Sequence, residues 1–244
     1  MPLAPGQKTH RVVKNPTISA RDLADFMVAS ERRRRTIVQD AKYRSTARII
    51  QHKQARTAVA RYLCDPALDL DWLHDQAEHL REAIADDDFD RNLYDNNADY
   101  IDRFFAVAEG VKLPKATVMP EAISKGYVIN GVKVSPQISF QFSRVNKNNK
   151  VRIGGCAIRY AKGKTLPEDV AQWQSAFMFG FLGVTNDPDA KTPELKLCLT
   201  IDAHAGKAHE APTDSVTRFN EMKATCATVA EWWPNVEPPK GAII

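Results

Sequence analysis

The stretch that most constrains the fold is residues 127–212, where strand-like and helix-like patterns alternate. Residues 127–134 are apolar around an Asn-Gly pair, a combination typical of two short strand segments joined by a tight turn. Residues 138–142 alternate apolar and polar side chains, which predicts a strand with one buried face. Residues 151–160 form a third strand-like run. Three strand regions therefore open this stretch.

A helix and a fourth strand are predicted to follow. Pro167 is typical of a first helical position, and apolar residues recur after it at three- and four-residue steps. Residues 195–201 are again strand-like. Residues 215–233 carry an apolar stripe that ends before Pro234. The sequence therefore predicts an α+β fold, with a mixed sheet of β-β-β-α-β order and a covering C-terminal helix.

The first half of the chain is predicted to be helical. Apolar residues recur at helical spacing across residues 17–110, with Ser and Asp at candidate capping positions. Residues 1–16 contain three prolines and few large apolar groups, which indicates a flexible arm. Two prolines in residues 112–120 mark the boundary to a mixed-sheet module over residues 121–236. Residues 237–244 are predicted to form a tail.

Composition indicates an ordinary globular chain. Hydrophobic residues make up 43% and charged residues 26%, and no run of 18 apolar residues is present, so we expect no membrane span. The first residues lack the apolar segment of a secretion signal, which favours a cytoplasmic location. The four cysteines lie far apart, so we expect free thiols and no zinc site.

The net charge of +4 conceals an uneven distribution. Residues 1–64 contain 14 Lys and Arg against 4 Asp and Glu, whereas residues 65–110 contain 3 against 14. The basic segment is either a surface that binds phosphate groups or a partner for acidic side chains, including those of the following segment. Four consecutive arginines spread over about 300° of a helix and cannot all face one partner. The candidate nucleic-acid-binding residues are Arg32, Arg33, Arg34, Arg35, Arg48, Lys53 and Arg56.

The order of elements resembles a known family. A helix ahead of three strands, then a helix and a fourth strand, is similar to the core of the PD-(D/E)XK (restriction-endonuclease-like) nuclease superfamily over about residues 121–212. The resemblance implies an acidic residue at the start of the second core strand and an acid-x-lysine triplet on the third. In that family the carboxylates hold Mg²⁺ and the lysine helps to position the attacking water.

The motif of that family is degenerate in this chain. Pro136-Gln137 stands where Pro-Asp is expected, and Ala157 and Arg159 occupy the acid and lysine positions. Glutamine is a poor Mg²⁺ ligand, and arginine stays protonated. Carboxylates that have moved to other positions are the remaining candidates: Glu121 before the second strand, and Glu168 or Asp169 on the helix after the third. The candidate catalytic residues are therefore Glu121, Gln137, Arg159 and Glu168.

Two functions follow from these observations. The first is a nucleic-acid-associated protein with a degenerate nuclease-like module whose cleavage activity is weak or lost. Mg²⁺ is its cofactor only if it cleaves, and no other cofactor or metal is implied. The second is a non-catalytic protein-interaction or regulatory subunit whose basic helices meet an acidic partner. Nucleic acid and a protein both stay open as partners.

Overall fold

The computed structural model describes residues 8–47, 51–187 and 189–244, which form an α+β fold. The helices are α1 (Ala20–Val28), α2 (Glu31–Lys42), α3 (Lys53–Cys64), α4 (Leu70–Glu82), α5 (Asp88–Phe105), α6 (Glu168–Thr185) and α7 (Ser215–Trp232). The strands are β1 (His10–Val12), β2 (Thr17–Ser19), β3 (Tyr43–Ser45), β4 (Thr117–Met119), β5 (Tyr127–Ile129), β6 (Val132–Ser135), β7 (Phe140–Val145), β8 (Val151–Arg159), β9 (Thr192–Pro193), β10 (Leu199–Asp202) and β11 (Lys207–Glu210).

The main sheet has the strand order β11-β10-β8-β7-β4, and β9 pairs with the first part of β8. Strand β7 runs antiparallel to both β4 and β8, and β11 runs antiparallel to β10. Strands β8 and β10 are parallel, and α6 makes the connection between them. A parallel pair requires a crossover of this kind, because the chain must return to the starting edge of the sheet.

Helices cover both faces of the main sheet, because successive residues of a strand point to opposite faces. Cys156 and Ile158 on β8 belong to a buried cluster shared with α3, α4 and α5. Ile153 and Ala157 on the same strand belong to a second cluster, which includes α1, α2, α6 and α7. The result is a three-layer arrangement with the sheet in the middle.

The strands predicted from the sequence divide between two sheets. The segments around Asn130 and Gly131 form the predicted hairpin, and both residues have positive φ, at 44° and 81°. This hairpin pairs through β6 with β2, in a separate three-stranded sheet. On the side away from β8, strand β7 pairs with β4 and not with the predicted hairpin. Strand β4 lies in the segment expected to be a linker. The three-residue strand β4 is too short to show a clear alternating pattern, so its partner alone identifies it as a strand.

The expected arm and tail are held by backbone pairing where they are described. Strand β1 pairs with β3, and the amide of Thr9 donates to the carbonyl of Ile243 at 2.9 Å. The expected boundary between residues 110 and 121 does not separate two cores, because each buried cluster contains side chains from both sides of it. Helix α7 packs against α6 and the small sheet.

Local capping fixes the positions of α1 and α2. The hydroxyl of Ser19 accepts from the amide of Asp22 at 3.0 Å, and the hydroxyl of Ser30 accepts from the amide of Arg33 at 3.4 Å. These bonds satisfy amides that have no partner within the helix. Within the described ranges, no helix is both long and apolar enough to cross a lipid bilayer.

Candidate functional site

The carboxyl ends of the parallel strands β8 and β10 meet at one edge of the main sheet, where Arg159 is paired in register with Asp202. Open sheets with such a crossover commonly bind ligands at this edge. A cavity of about 250 Å³, termed the cleft below, lies there. Helix α1 forms one wall, and the loop between β8 and α6 forms another. The lining is mixed: apolar groups of Ala161, Leu166, Pro167 and Val170 lie beside the polar and charged side chains of Arg21, Asp25, Arg159, Tyr160, Lys164 and Asp202.

Arg159 is buried at the bottom of this region, with its side chain 9% exposed. Its Nη2 donates to both carboxylate oxygens of Asp25 at 2.9 Å, and its Nη1 donates to Oε1 of Gln174 at 3.2 Å. Burial lowers the pKa of Arg159, and the nearby charge of Asp25 opposes that shift. Arginine nevertheless stays protonated at neutral pH. The residue therefore ties α1, β8 and α6 together through a buried ion pair.

Asp202 is also buried, and the backbone uses both of its carboxylate oxygens. Its Oδ2 accepts from the amide of Leu166 at 2.7 Å, and its Oδ1 accepts from the amides of His204 and Ala205 at 2.9 and 3.2 Å. Charge-assisted bonds of this type are stronger than those between neutral groups. Asp202 thus fixes the loop ahead of α6 and the turn after β10.

Two cations from separate parts of the chain, Arg21 and Lys164, line the cleft. A third, Arg56 on α3, lines a separate cavity, and its charge acts together with that of Arg21 on His52. Among the described residues, none of these three side chains makes a hydrogen bond or ion pair. Burial lowers the pKa of His52, and the charges of Arg21, Arg56 and Lys162 lower it further. We call Arg21, Arg56 and Lys164 the cation cluster.

Aromatic rings pack beside the cation cluster. Tyr100 and Tyr160 stack nearly parallel, with 3.9 Å between ring centroids and 7° between planes. The ring of His52 meets both tyrosines edge-on, at 5.6 and 5.3 Å. Tyr100 is 1% exposed, and burial raises its pKa. Its hydroxyl has no hydrogen-bond partner within the described ranges. Tyr160 is half-buried and presents an aromatic wall to the cleft.

The predicted catalytic residues do not form one site. Glu121 is exposed, and its carbonyl oxygen accepts from Gln141. Gln137 has a φ of 54° and lines a different cavity, of about 380 Å³, beside α2. Glu168 pairs with Lys207 at 3.2 Å. Of the four, only Arg159 lines the cleft.

Three of the four consecutive arginines contact other groups of the protein. Arg34 donates to the carbonyl oxygens of Phe26 and Met27 at 3.0 and 3.1 Å, which satisfies the end of α1. Arg33 lies 3.9 Å from Asp40, and Arg35 lies 2.8 Å from Glu31. Arg32 is exposed and contributes to a cavity between α2 and α7. The run is therefore not a continuous phosphate-binding surface.

Two predicted residues lie on α3, and two cations that line the cleft were not predicted. Lys53 and Arg56 are exposed on α3, as a phosphate-binding role requires. Arg48 lies outside the described residues. Arg21 and Lys164 were not predicted, because each is a single cation in a segment of mixed charge. Only the fold brings them together.

The acidic segment makes its described ion pairs largely with its own arginines. Arg81 pairs with Glu78 and with Asp102, and Arg91 pairs with Asp95. Lys162, in the loop after β8, pairs with Asp99 at 2.8 Å. These pairs account for part of the acidic charge without using the cation cluster.

The residues present do not fit the magnesium site of the resembling family. Ala157 and Arg159 occupy the acid and lysine positions, and Arg159 already engages Asp25. In the part of the chain that the structure describes, no group of three or more His, Cys, Asp or Glu side chains is placed to hold a metal ion. No protein-family model matches the chain, and no curated protein matches it.

Proposed function

We propose that this protein binds nucleic acid through the cation cluster at the carboxyl ends of β8 and β10. The observation that carries the proposal is that Arg21 and Lys164 line the cleft, that Arg56 and Arg21 both act on His52, and that none of the three is paired with an acid among the described residues. Surface cations usually stand near acids or are scattered, and a group left unpaired concentrates polyanions. Such contacts hold the sugar-phosphate backbone without reading base sequence.

The order of elements supports a relation to the PD-(D/E)XK superfamily. Helix α5 precedes β4, β7 and β8, and α6 and β10 follow, with β10 parallel to β8. The first core strand in this comparison is β4, in place of the hairpin expected from the sequence. The third strand ends at Arg159 beside the cleft, so the position of the family's acid-x-lysine triplet corresponds to the edge that carries the cation cluster.

Cleavage is proposed to be weak or lost. The two carboxylates nearest this edge are engaged elsewhere, because Asp25 pairs with Arg159 and Asp202 accepts from three backbone amides. A metal-dependent nuclease needs carboxylate oxygens free to coordinate Mg²⁺. The proposed role is therefore binding by a nuclease-like module.

The test is nucleic-acid binding by a triple variant, Arg21→Ala, Arg56→Ala and Lys164→Ala. Fluorescence anisotropy with single- and double-stranded oligonucleotides in about 0.1 M salt should show an affinity lower by roughly a hundredfold, because each lost phosphate contact removes most of a log unit. The matched control replaces the exposed cations Arg11, Lys125 and Lys147 by alanine, which removes the same charge. If both variants lose the same affinity, the loss comes from the change in net charge and not from these three positions.

A protein partner is the second candidate function, favoured by a different surface. A cavity of about 860 Å³ lies between α2 and α7. Trp232 lines it in contact with the guanidinium of Arg35, which lies 5.3 Å from the ring centroid. Glu31 and Glu231 line it as well, so the surface is mixed in charge. Absence of nucleic-acid binding by the wild-type protein would leave this candidate as the better one.

A further inference from the structure

We infer that the cleft binds the terminal phosphate of a nucleic-acid strand, an inference that rests on the proposed function. The first argument is size. At about 250 Å³, the cleft is smaller than the pockets that enclose whole small-molecule ligands. It is closed below by the buried Arg159 and Asp202. A cavity of this size suits a phosphate group at a chain end, because an internal phosphate continues into nucleotides on both sides.

The second argument is charge. Two acids line the cleft, but Arg159 engages Asp25, and backbone amides engage Asp202. Among the residues that the structure describes, Arg21 and Lys164 remain as cations without an acidic partner. A phosphate monoester carries a charge of about −1.5 to −2 at neutral pH, whereas an internal diester carries one negative charge. The two free cations therefore match a monoester better than a diester.

The third argument is the aromatic wall. Tyr160 lines the cleft, and Tyr100 stacks behind it, so the orientation of its ring is fixed. Bases stack on aromatic side chains with little regard to sequence. The hydroxyl of Tyr100 is buried and, as far as the described residues go, has no hydrogen-bond partner. Arg21 and Lys164 hold the phosphate oxygens in this arrangement, and the nucleotide attached to the phosphate lies against Tyr160. Arg56 lies outside the cleft and contacts phosphates further along the strand.

The test compares strands that differ only at their ends. One oligonucleotide is prepared with a 5′-phosphate, with a 3′-phosphate and with hydroxyl groups at both ends, and anisotropy gives the dissociation constant of each. We expect one phosphorylated form to bind about tenfold or more tightly than the hydroxyl form, as expected for an added charge-assisted phosphate contact. Arg21→Ala and Lys164→Gln should each remove most of this preference. Arg56→Ala should weaken all three strands by a similar factor, and the control Lys147→Ala should preserve the preference.

The source of the phosphate is separated by competition. The competitors are a nucleoside monophosphate and the same nucleoside without phosphate. If only the monophosphate displaces the phosphorylated strand, the cleft binds a phosphate monoester and does not need the rest of the strand. If neither the monophosphate nor the nucleoside displaces the strand, and the phosphorylated strand still binds more tightly, the cleft recognises the phosphate as part of a strand end. Equal binding of all three strands, with losses in every cation-cluster variant, would overturn the inference and leave the proposed function standing. Absence of binding to any strand would overturn both.

Discussion

Nη2 of Arg159 lies 2.9 Å from both carboxylate oxygens of Asp25, which precedes it by 134 residues. This pair joins the end of β8 to α1 and holds one wall of the cleft. Asp25→Asn leaves the buried guanidinium without a counter-charge. We expect the free energy of unfolding to fall by about 3 kcal/mol, at the low end for a broken buried ion pair because Asp25 is partly exposed. Urea denaturation measures it.

Two variants serve as controls for that pair. Asp25→Asn combined with Arg159→Met removes both charges, and we expect it to recover part of the lost stability, because no unpaired charge remains buried. Glu31→Gln breaks the exposed pair with Arg35, where the loss should be much smaller because solvent screens the two charges. Equal losses for Asp25→Asn and Glu31→Gln would show that burial does not set the strength of the Arg159 pair.

The four consecutive arginines are expected to differ in their effect on stability. Arg34→Met removes hydrogen bonds to the carbonyl oxygens of Phe26 and Met27, so the unfolding free energy should fall by about 1.5–3 kcal/mol, the range for bonds to a charged group. Arg32→Met should change it by less than about 0.5 kcal/mol, because its side chain is exposed. Thermal and urea denaturation of the two variants measure the difference. Similar stability of both would contradict the capping role of Arg34.

Stability should fall as the pH drops below about 6.5. Burial lowers the pKa of both His52 and His209 in the folded protein, and neighbouring cations add to the shift. Each histidine binds its proton more readily when the chain is unfolded, at an ordinary pKa of about 6.5. Acid therefore favours the unfolded state, and the loss continues down to the folded-state pKa values.

The measurement for this pH dependence is the unfolding free energy between pH 7.5 and 5.5. His52→Gln and His209→Gln should each flatten the decrease, and His79→Gln, at an exposed position, controls for the loss of an imidazole. The interpretation fails if the decrease is unchanged in both of the first two variants.

Incubation with plasmid DNA and single strands in Mg²⁺ or Mn²⁺ is expected to give little or no cleavage. Alanine and arginine stand at the acid and lysine positions, and the nearby carboxylates of Asp25 and Asp202 already accept hydrogen bonds. Gel electrophoresis detects the products. Robust metal-dependent cutting that disappears in Glu121→Ala would show that a carboxylate from another position completes an active centre.

Local patterns predicted the elements that depend on nearby residues. The Asn-Gly turn at residues 130 and 131, the amphipathic α7 and the capping serines all have their signals within a few positions. Pairing between distant segments left no such signal. Strand β2 has no local feature that selects β6 as its partner, and β4 is too short for a clear alternation.

The residues of the cleft also come from distant segments, so local patterns did not predict them. The charge of the four consecutive arginines is concentrated in sequence, yet most of those side chains pair with neighbours on α1 and α2. Arg21 and Lys164 each stand alone in sequence and meet only because α1 packs on α6 beside the end of β8. The one signal in the sequence for Lys164 is its position shortly after the end of a predicted strand.

The salt dependence of nucleic-acid affinity tests the central claim most directly, because its slope counts phosphate contacts. Dissociation constants for duplex DNA, measured between about 50 and 200 mM salt, give that slope for the wild type and for the Arg21, Arg56 and Lys164 triple alanine variant. We predict a slope shallower by about 2 to 3 in the triple variant and unchanged in the Arg11, Lys125 and Lys147 control. A slope that is the same in the wild type and the triple variant would contradict the account.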